Sequence, residues 1–192
     1  MNTGKDSRRK FIKGIAGTAL AATVPGIIKA SGNEKEELFK LREYYGANDN
    51  VNVALIGAGG MGTADAQTSK TVPGVKIVAA CDLFDPRLEE AKKSFGADIF
   101  TTRDHKEILS RKDIDAVIIG TPDHWHKEIA VDALNAGKHV YCEKPMVHDI
   151  TEGPAVIAAQ NKNKVVMQVG SQGMSSLGNE KAKQLSKSIK VE

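Results

Sequence analysis

Two short stretches carry residue types from which chemistry can be built. The first, Gly57-Ala58-Gly59-Gly60-Met61-Gly62, follows the apolar run Val51–Ile56 and precedes a helix-like segment reaching about Lys70. The second, "HVYCEKPMV" from His139 to Val147, is a strand-like run that ends in Glu143-Lys144-Pro145. A G-x-G-x-x-G spacing by itself is a weak signal. Set between a strand and a helix, with Asp82 closing the next apolar run, it reads as a dinucleotide fingerprint. Gly57 permits the tight turn, Gly59 lets the backbone approach a pyrophosphate, and Gly62 allows close helix–strand packing. Gly60 and Met61 stand at the helix start, where unpaired N–H groups favour a phosphate. Asp82 is suited to accept hydrogen bonds from adenosine ribose hydroxyls, and its charge repels a 2′-phosphate. Arg87, the nearest basic residue, lies past Pro86. The pattern therefore favours NAD over NADP.

In open α/β sheets, ligands sit outside the carboxyl ends of the strands. Asp82, Thr121-Pro122 and Glu143-Lys144 all fall at such ends, so Lys144 faces the same crevice as the glycine loop. A lysine partly desolvated beside a cofactor holds its proton less tightly and can serve as acid or base. Glu143 opposes that if it pairs with the amine. Alternatively it bonds a ribose or nearby backbone and leaves the amine for substrate.

The elements that must position these residues alternate. Strands are expected at Val51–Ile56, Val75–Asp82, Ala97–Thr102, Asp115–Pro122, Lys138–Pro145 and Lys164–Gly170. Helical spacing fills the intervals, with Pro86 opening one helix, Asp104 as the N-cap of a short one and Gly137 stopping another. A last amphipathic helix begins near Asn179. Alternating strands and helices imply right-handed crossovers and a parallel sheet. Strands that are apolar throughout imply that both faces are covered. The expected architecture is α/β, a doubly wound parallel Rossmann sheet of order 3-2-1-4-5-6. Cys81 and Cys142 end the second and fifth strands; that order keeps them apart, buried and unpaired. Two isolated thiols offer no metal site.

The charge is unevenly spread. Of the net +3, residues 1–30 hold +5, from six basic residues against Asp6, which leaves −2 for the remainder. A mildly acidic body has no basic face for nucleic acid. The start, "SRRKFIKGIAGTALAATVPGIIKA", places a basic segment before a short, weakly apolar run. That run is too short to span a bilayer. It resembles a twin-arginine export signal, with possible cleavage after Ala30. Residues 1–30 are thus read as a signal peptide, which implies an exported, periplasmic protein that meets the membrane only through the export machinery. Residues 31–50 are read as an N-terminal extension, 51–170 as the nucleotide-binding domain and 171–192 as the start of a second domain.

Three segments carry a family resemblance: "VALIGAGGMG", "IIGTPDHWHKEIAVDALNAGKHVYCEKPM" and "VMQVGSQ". They are similar to the glucose–fructose oxidoreductase / inositol 2-dehydrogenase / rhizopine-catabolism family, over Val51 to about Lys190. The most specific part is T-P-x-x-x-H (Thr121, Pro122, His126) followed by E-K-P about twenty residues later. The resemblance implies hydride transfer at a sugar or polyol hydroxyl, with Lys144 beside the nicotinamide and the reacting carbon. It implies that Thr121, Pro122 and His126 run along the cofactor. His126 then either touches the nicotinamide half or caps its helix. His124 reads as a surface residue, Trp125 as a partly buried anchor beneath the crevice and Gln172 as a further cofactor contact. Asp85 and Asp123 read as turn residues, and His105, His139 and His148 as structural or solvated.

The same resemblance implies a second α/β domain, with a histidine that works with Lys144 and a sheet through which members form homo-oligomers. That domain is missing from this sequence, which reads as a C-terminally truncated fragment. Export joined to a nucleotide site implies a tightly held, recycled cofactor. Two other readings stand beside the oxidoreductase. One is a glycosidase that uses NAD transiently, whose members replace the E-K-P lysine with an apolar residue. The other is a stand-alone or inactive nucleotide-binding remnant.

Overall fold

A computed structural model of the chain describes residues 50–188. The segments read from the sequence as a signal peptide (residues 1–30) and an N-terminal extension (31–50, except Asn50), and the last four residues, lie outside the described residues. The first body, up to Val169, is built on a parallel sheet. Its strands are β1 Val51–Ile56, β2 Val75–Cys81, β3 Phe100–Thr102, β4 Ala116–Ile119 and β5 His139–Glu143, with β6 Met167–Gly170 completing the edge. The spatial order is β3-β2-β1-β4-β5-β6, as the alternating pattern predicts. Between the strands run α1 Gly60–Ser69, α2 Asp85–Phe95, α3 His105–Ser110, α4 His126–Asn135 and α5 Gly153–Asn163.

The central strands are covered on both sides, which explains their unbroken apolar runs. Ala54, Leu55, Ala79, Ala80, Val117, Ile119 and Cys142 are fully buried. Against them pack Ile108 of α3, Ile129, Ala130, Ala133 and Leu134 of α4, and Val156 and Ala159 of α5. Cys81 and Cys142 are free and buried, and β1 and β4 lie between their strands. Burial pushes both thiols up to about 12, so neither is poised as a thiolate.

Side chains fix the ends of the elements that reach the site. Asp104 caps α3 by accepting the Lys106 N–H, as the sequence predicts. Asp149 and Glu152 form a capping box on a short turn, Ile150–Glu152, that leads into α5. The Lys138 amine, in a residue only 7% exposed, donates to the carbonyls of Arg111 and Ile114 and so fastens the start of β5 to the loop before β4. Five strands are shorter than expected, and β3, β4 and β6 show why. Gly96 at φ +136° delays β3, while Thr121-Pro122 turns away after β4. Before β6, Val166 still pairs with β5 by accepting the Val140 N–H.

The second body is small. It holds a turn, Gln172–Ser175, and α6 Leu177–Ser188, with Leu177 and Leu185 exposed. Ser176 Oγ accepts the Asn179 N–H, and Asn179 reaches back to the Gly173 carbonyl. Gln172 belongs to this body.

Candidate functional site

The crevice starts where three glycines meet. Gly57 follows β1 with φ +90°, and a Cβ there would stand 2.6 Å from the backbone of Gly120 and Thr121. A Cβ on Gly62 would overlap the Gly57 carbonyl oxygen, and one on Gly120 would lie 2.6 Å from the Gly62 Cα. The turn after β1, the first turn of α1 and the end of β4 are therefore packed backbone on backbone. Gly120 escaped the sequence reading because it belongs to no spaced motif; its only signal is a small residue between an apolar strand and Thr121-Pro122.

At the start of α1, the first bond to the turn is Thr63 N–H to the Gly59 carbonyl, at 2.9 Å. The Gly60 and Met61 amides thus have no helical carbonyl to bond. Nothing lies within 4 Å of a Cβ built on Gly60, so the loop is open on that side.

Asp82 stands across the turn and is 9% exposed. Its Oδ2 accepts the Ala58 N–H and its Oδ1 the Phe84 N–H, both at 2.9 Å. The carboxylate thereby ties the glycine loop to the segment after β2, and each oxygen keeps a second lone pair. Arg87, the nearest basic residue and past Pro86 in the chain, is turned back by α2: its Nη1 lies 3.6 Å from Asp82 Oδ2, and the guanidinium also covers Gly59. Helix geometry, which brings residue 87 round to face the loop, is not visible in linear distance.

A cleft of about 590 Å³ opens along this edge. Gly57, Asp82, Arg87, Gly120, Thr121, Pro122 and Trp125 are among its lining residues. Trp125 is 37% exposed, a partly covered wall. His105, read as structural, also lines the cleft, while its Nε2 lies 3.3 Å from Asp132. Thr121 has a buried Oγ1 with no hydrogen-bond partner. The residue lines the cleft but this oxygen is closed off from it, so a ligand atom reaches it only if the wall shifts.

On the β5 side, Glu143 is 5% exposed and its Oε2 accepts the Lys144 backbone N–H at 3.3 Å, the backbone partner among the alternatives. Lys144 itself is exposed, and the Lys144–Pro145 peptide is cis. His126 is 1% exposed and begins α4 without a side-chain cap. Its Nδ1 lies 2.6 Å from the Pro145 carbonyl oxygen and its Nε2 2.8 Å from that of Thr121. The ring thus sits behind the crevice wall. His124 is exposed, and Asp123 pairs with His148 at 3.2 Å. That histidine holds the Asp123 carboxyl below the usual carboxylate range.

Residues 51–171 match the Gfo/Idh/MocA family, an oxidoreductase family with an NAD-binding Rossmann fold. The chain belongs to this family. Gfo/Idh/MocA relatives include the inositol 2-dehydrogenase of Salmonella typhimurium, 33% identical over 122 residues, which are 62% of this chain and 36% of that protein. Glycosyl hydrolase family 109 protein 2 of Shewanella sp. (strain ANA-3) is 35% identical over 159 residues, 76% of this chain and 35% of that one. Among solved structures, myo-inositol 2-dehydrogenase of Lactobacillus plantarum is similar with a TM-score of 0.66 and 30% identity, over 72% of this chain and 41% of that one. The chain spans about a third of the length of the curated relatives it matches.

The residues present fit the family's nucleotide. The glycine cradle excludes any Cβ at Gly57 and Gly62, the Gly60 and Met61 amides point from a helix start, and the Thr121 hydroxyl awaits a partner. Gly57, Gly59, Gly60, Met61 and Gly62 would hold the pyrophosphate, and Asp82 a ribose.

Proposed function

We propose that the chain is the nucleotide-binding part of an exported, NAD-dependent oxidoreductase acting on a sugar or polyol hydroxyl. The observation that carries this reading is the glycine-cradled cleft, with the orphaned Thr121 hydroxyl on its wall and Lys144 at the end of the neighbouring strand. NAD, when bound, supplies the hydride acceptor. The protein's own work is positional. The glycine loop and the start of α1 take the pyrophosphate, Asp82 takes the adenosine ribose, and Thr121 and Pro122 flank the nicotinamide half. Lys144 orients the substrate hydroxyl and, in its neutral amine form, takes the hydroxyl proton as the carbon gives up hydride. Asp82 favours NAD, and Arg87 beside it softens the repulsion of a 2′-phosphate, so both nucleotides belong in the assay.

The test uses the product of the whole reading frame, assayed for NADH and NADPH formation on a panel of sugars and polyols. Lys144→Ala should lower turnover by about 10²–10⁴-fold while NAD affinity holds. Unchanged turnover in that variant would remove Lys144 from the chemistry. The family 109 relative supports a second reading, a glycosidase that uses the nucleotide transiently. Release of an aryl aglycone with no net NADH would select it over the first.

A further inference from the structure

The Thr121-Pro122 turn and the Lys144-Pro145 turn lie at the ends of different strands, yet one side chain joins them. His126 reaches the Thr121 carbonyl with one ring nitrogen and the Pro145 carbonyl with the other, at 2.8 and 2.6 Å. Carbonyl oxygens only accept, so each contact is a hydrogen bond when the facing nitrogen carries a proton. Both together take a ring protonated at both positions.

What the clamp holds follows from the topology. A dinucleotide lies across the point where strand order reverses, with its adenosine ribose at the acidic residue after β2. Asp82 marks that side, so the nicotinamide half falls over the ends of β4 and β5. Those ends are the two turns that His126 grips. Through the Thr121 carbonyl the ring also sets the orphaned Oγ1 of the same residue, and through the Pro145 carbonyl it holds the backbone immediately after Lys144.

We infer that His126 is a positioning residue for the nicotinamide half, fixing Thr121 and Lys144 relative to one another without touching the nucleotide. The inference rests on the nucleotide-binding reading above. An error of 1 Å in such a placement is enough to matter for a bound reactant.

The experiment titrates the 192-residue chain, wild type and His126→Gln, with NAD and separately with ADP-ribose, which lacks only the nicotinamide. A glutamine amide presents one donor end and one acceptor end, so it holds one carbonyl and repels the other. NAD affinity should fall by about tenfold or more, and ADP-ribose affinity should stay within about twofold. Equal loss of both ligands, or loss of neither, overturns the inference. A wild-type chain that takes up neither ligand sinks the nucleotide reading itself, an outcome distinct from those two. If His126→Gln does not fold, His126→Asn titrated with the same two ligands decides. Selective loss of NAD affinity in that variant supports the inference, and equal loss of both ligands or of neither overturns it.

Discussion

A hydroxyl buried without a partner costs about 1–3 kcal/mol, and the Thr121 Oγ1 is such a hydroxyl. Folding leaves that cost in place, and a ligand that shifts the cleft wall enough to meet the oxygen would remove it. Thr121→Val keeps the shape and discards the hydroxyl, so its two effects should run in opposite directions. The free protein should melt no lower than wild type, while NAD affinity should drop by about tenfold. A purely structural hydroxyl would lower the melting temperature and leave the affinity alone. Calorimetry with and without nucleotide separates the cases. Gly57, Gly62 and Gly120 belong to the same scale. Each excludes a Cβ through backbone contact, so their role is to be empty, and two of the three were announced by their spacing.

At the scale of elements, His139 shows how a strand start senses pH. Its Nδ1 accepts the Val166 N–H at 2.9 Å, which joins β5 to the segment before β6 and needs an unprotonated nitrogen. Burial pushes the imidazole below its usual 6.5, against a smaller opposing pull from Asp115. With the folded value below the unfolded one, the unfolded chain gains the proton first as pH falls. The contribution is complete above about 6.5 and is lost as pH drops through the folded value. His139→Asn keeps an acceptor near the same place and cannot titrate. Its melting temperature should fall less steeply than that of wild type between about pH 7.5 and 5.5. Parallel curves for the two proteins would dissociate His139 from the acid sensitivity. The element level was also the most legible in the sequence. Unbroken apolar runs such as Val51–Ile56, separated by helical spacing, dictate a parallel sheet, and the order β3-β2-β1-β4-β5-β6 followed. Contacts that depend on how a side chain turns were not legible. Arg87 swings back over Gly59 because of helix phase, and the His126 ring finds two carbonyls that lie 5 and 19 residues away.

At the scale of the whole molecule, the nucleotide cleft and the first thirty residues bear on one another. A ligand that binds only the folded state stabilises it by about 2.7 kcal/mol at a hundred times its Kd. A chain that folds around NAD in the cytoplasm therefore gains stability there that it could not recruit outside, where the nucleotide is not freely supplied. The paired Arg8 and Arg9, in "SRRKFIK", resemble the signal of the export route that accepts folded cargo, and that is the route proposed for this chain. Replacing both with lysine keeps the charge and removes the guanidinium pair. The double variant should accumulate in the cytoplasm, while the wild type should reach the periplasm with nucleotide still bound, as read by mass spectrometry of the native protein. Equal export of the two would separate this segment from the twin-arginine route. Wild type recovered outside without nucleotide would leave the route standing and sever it from cofactor loading.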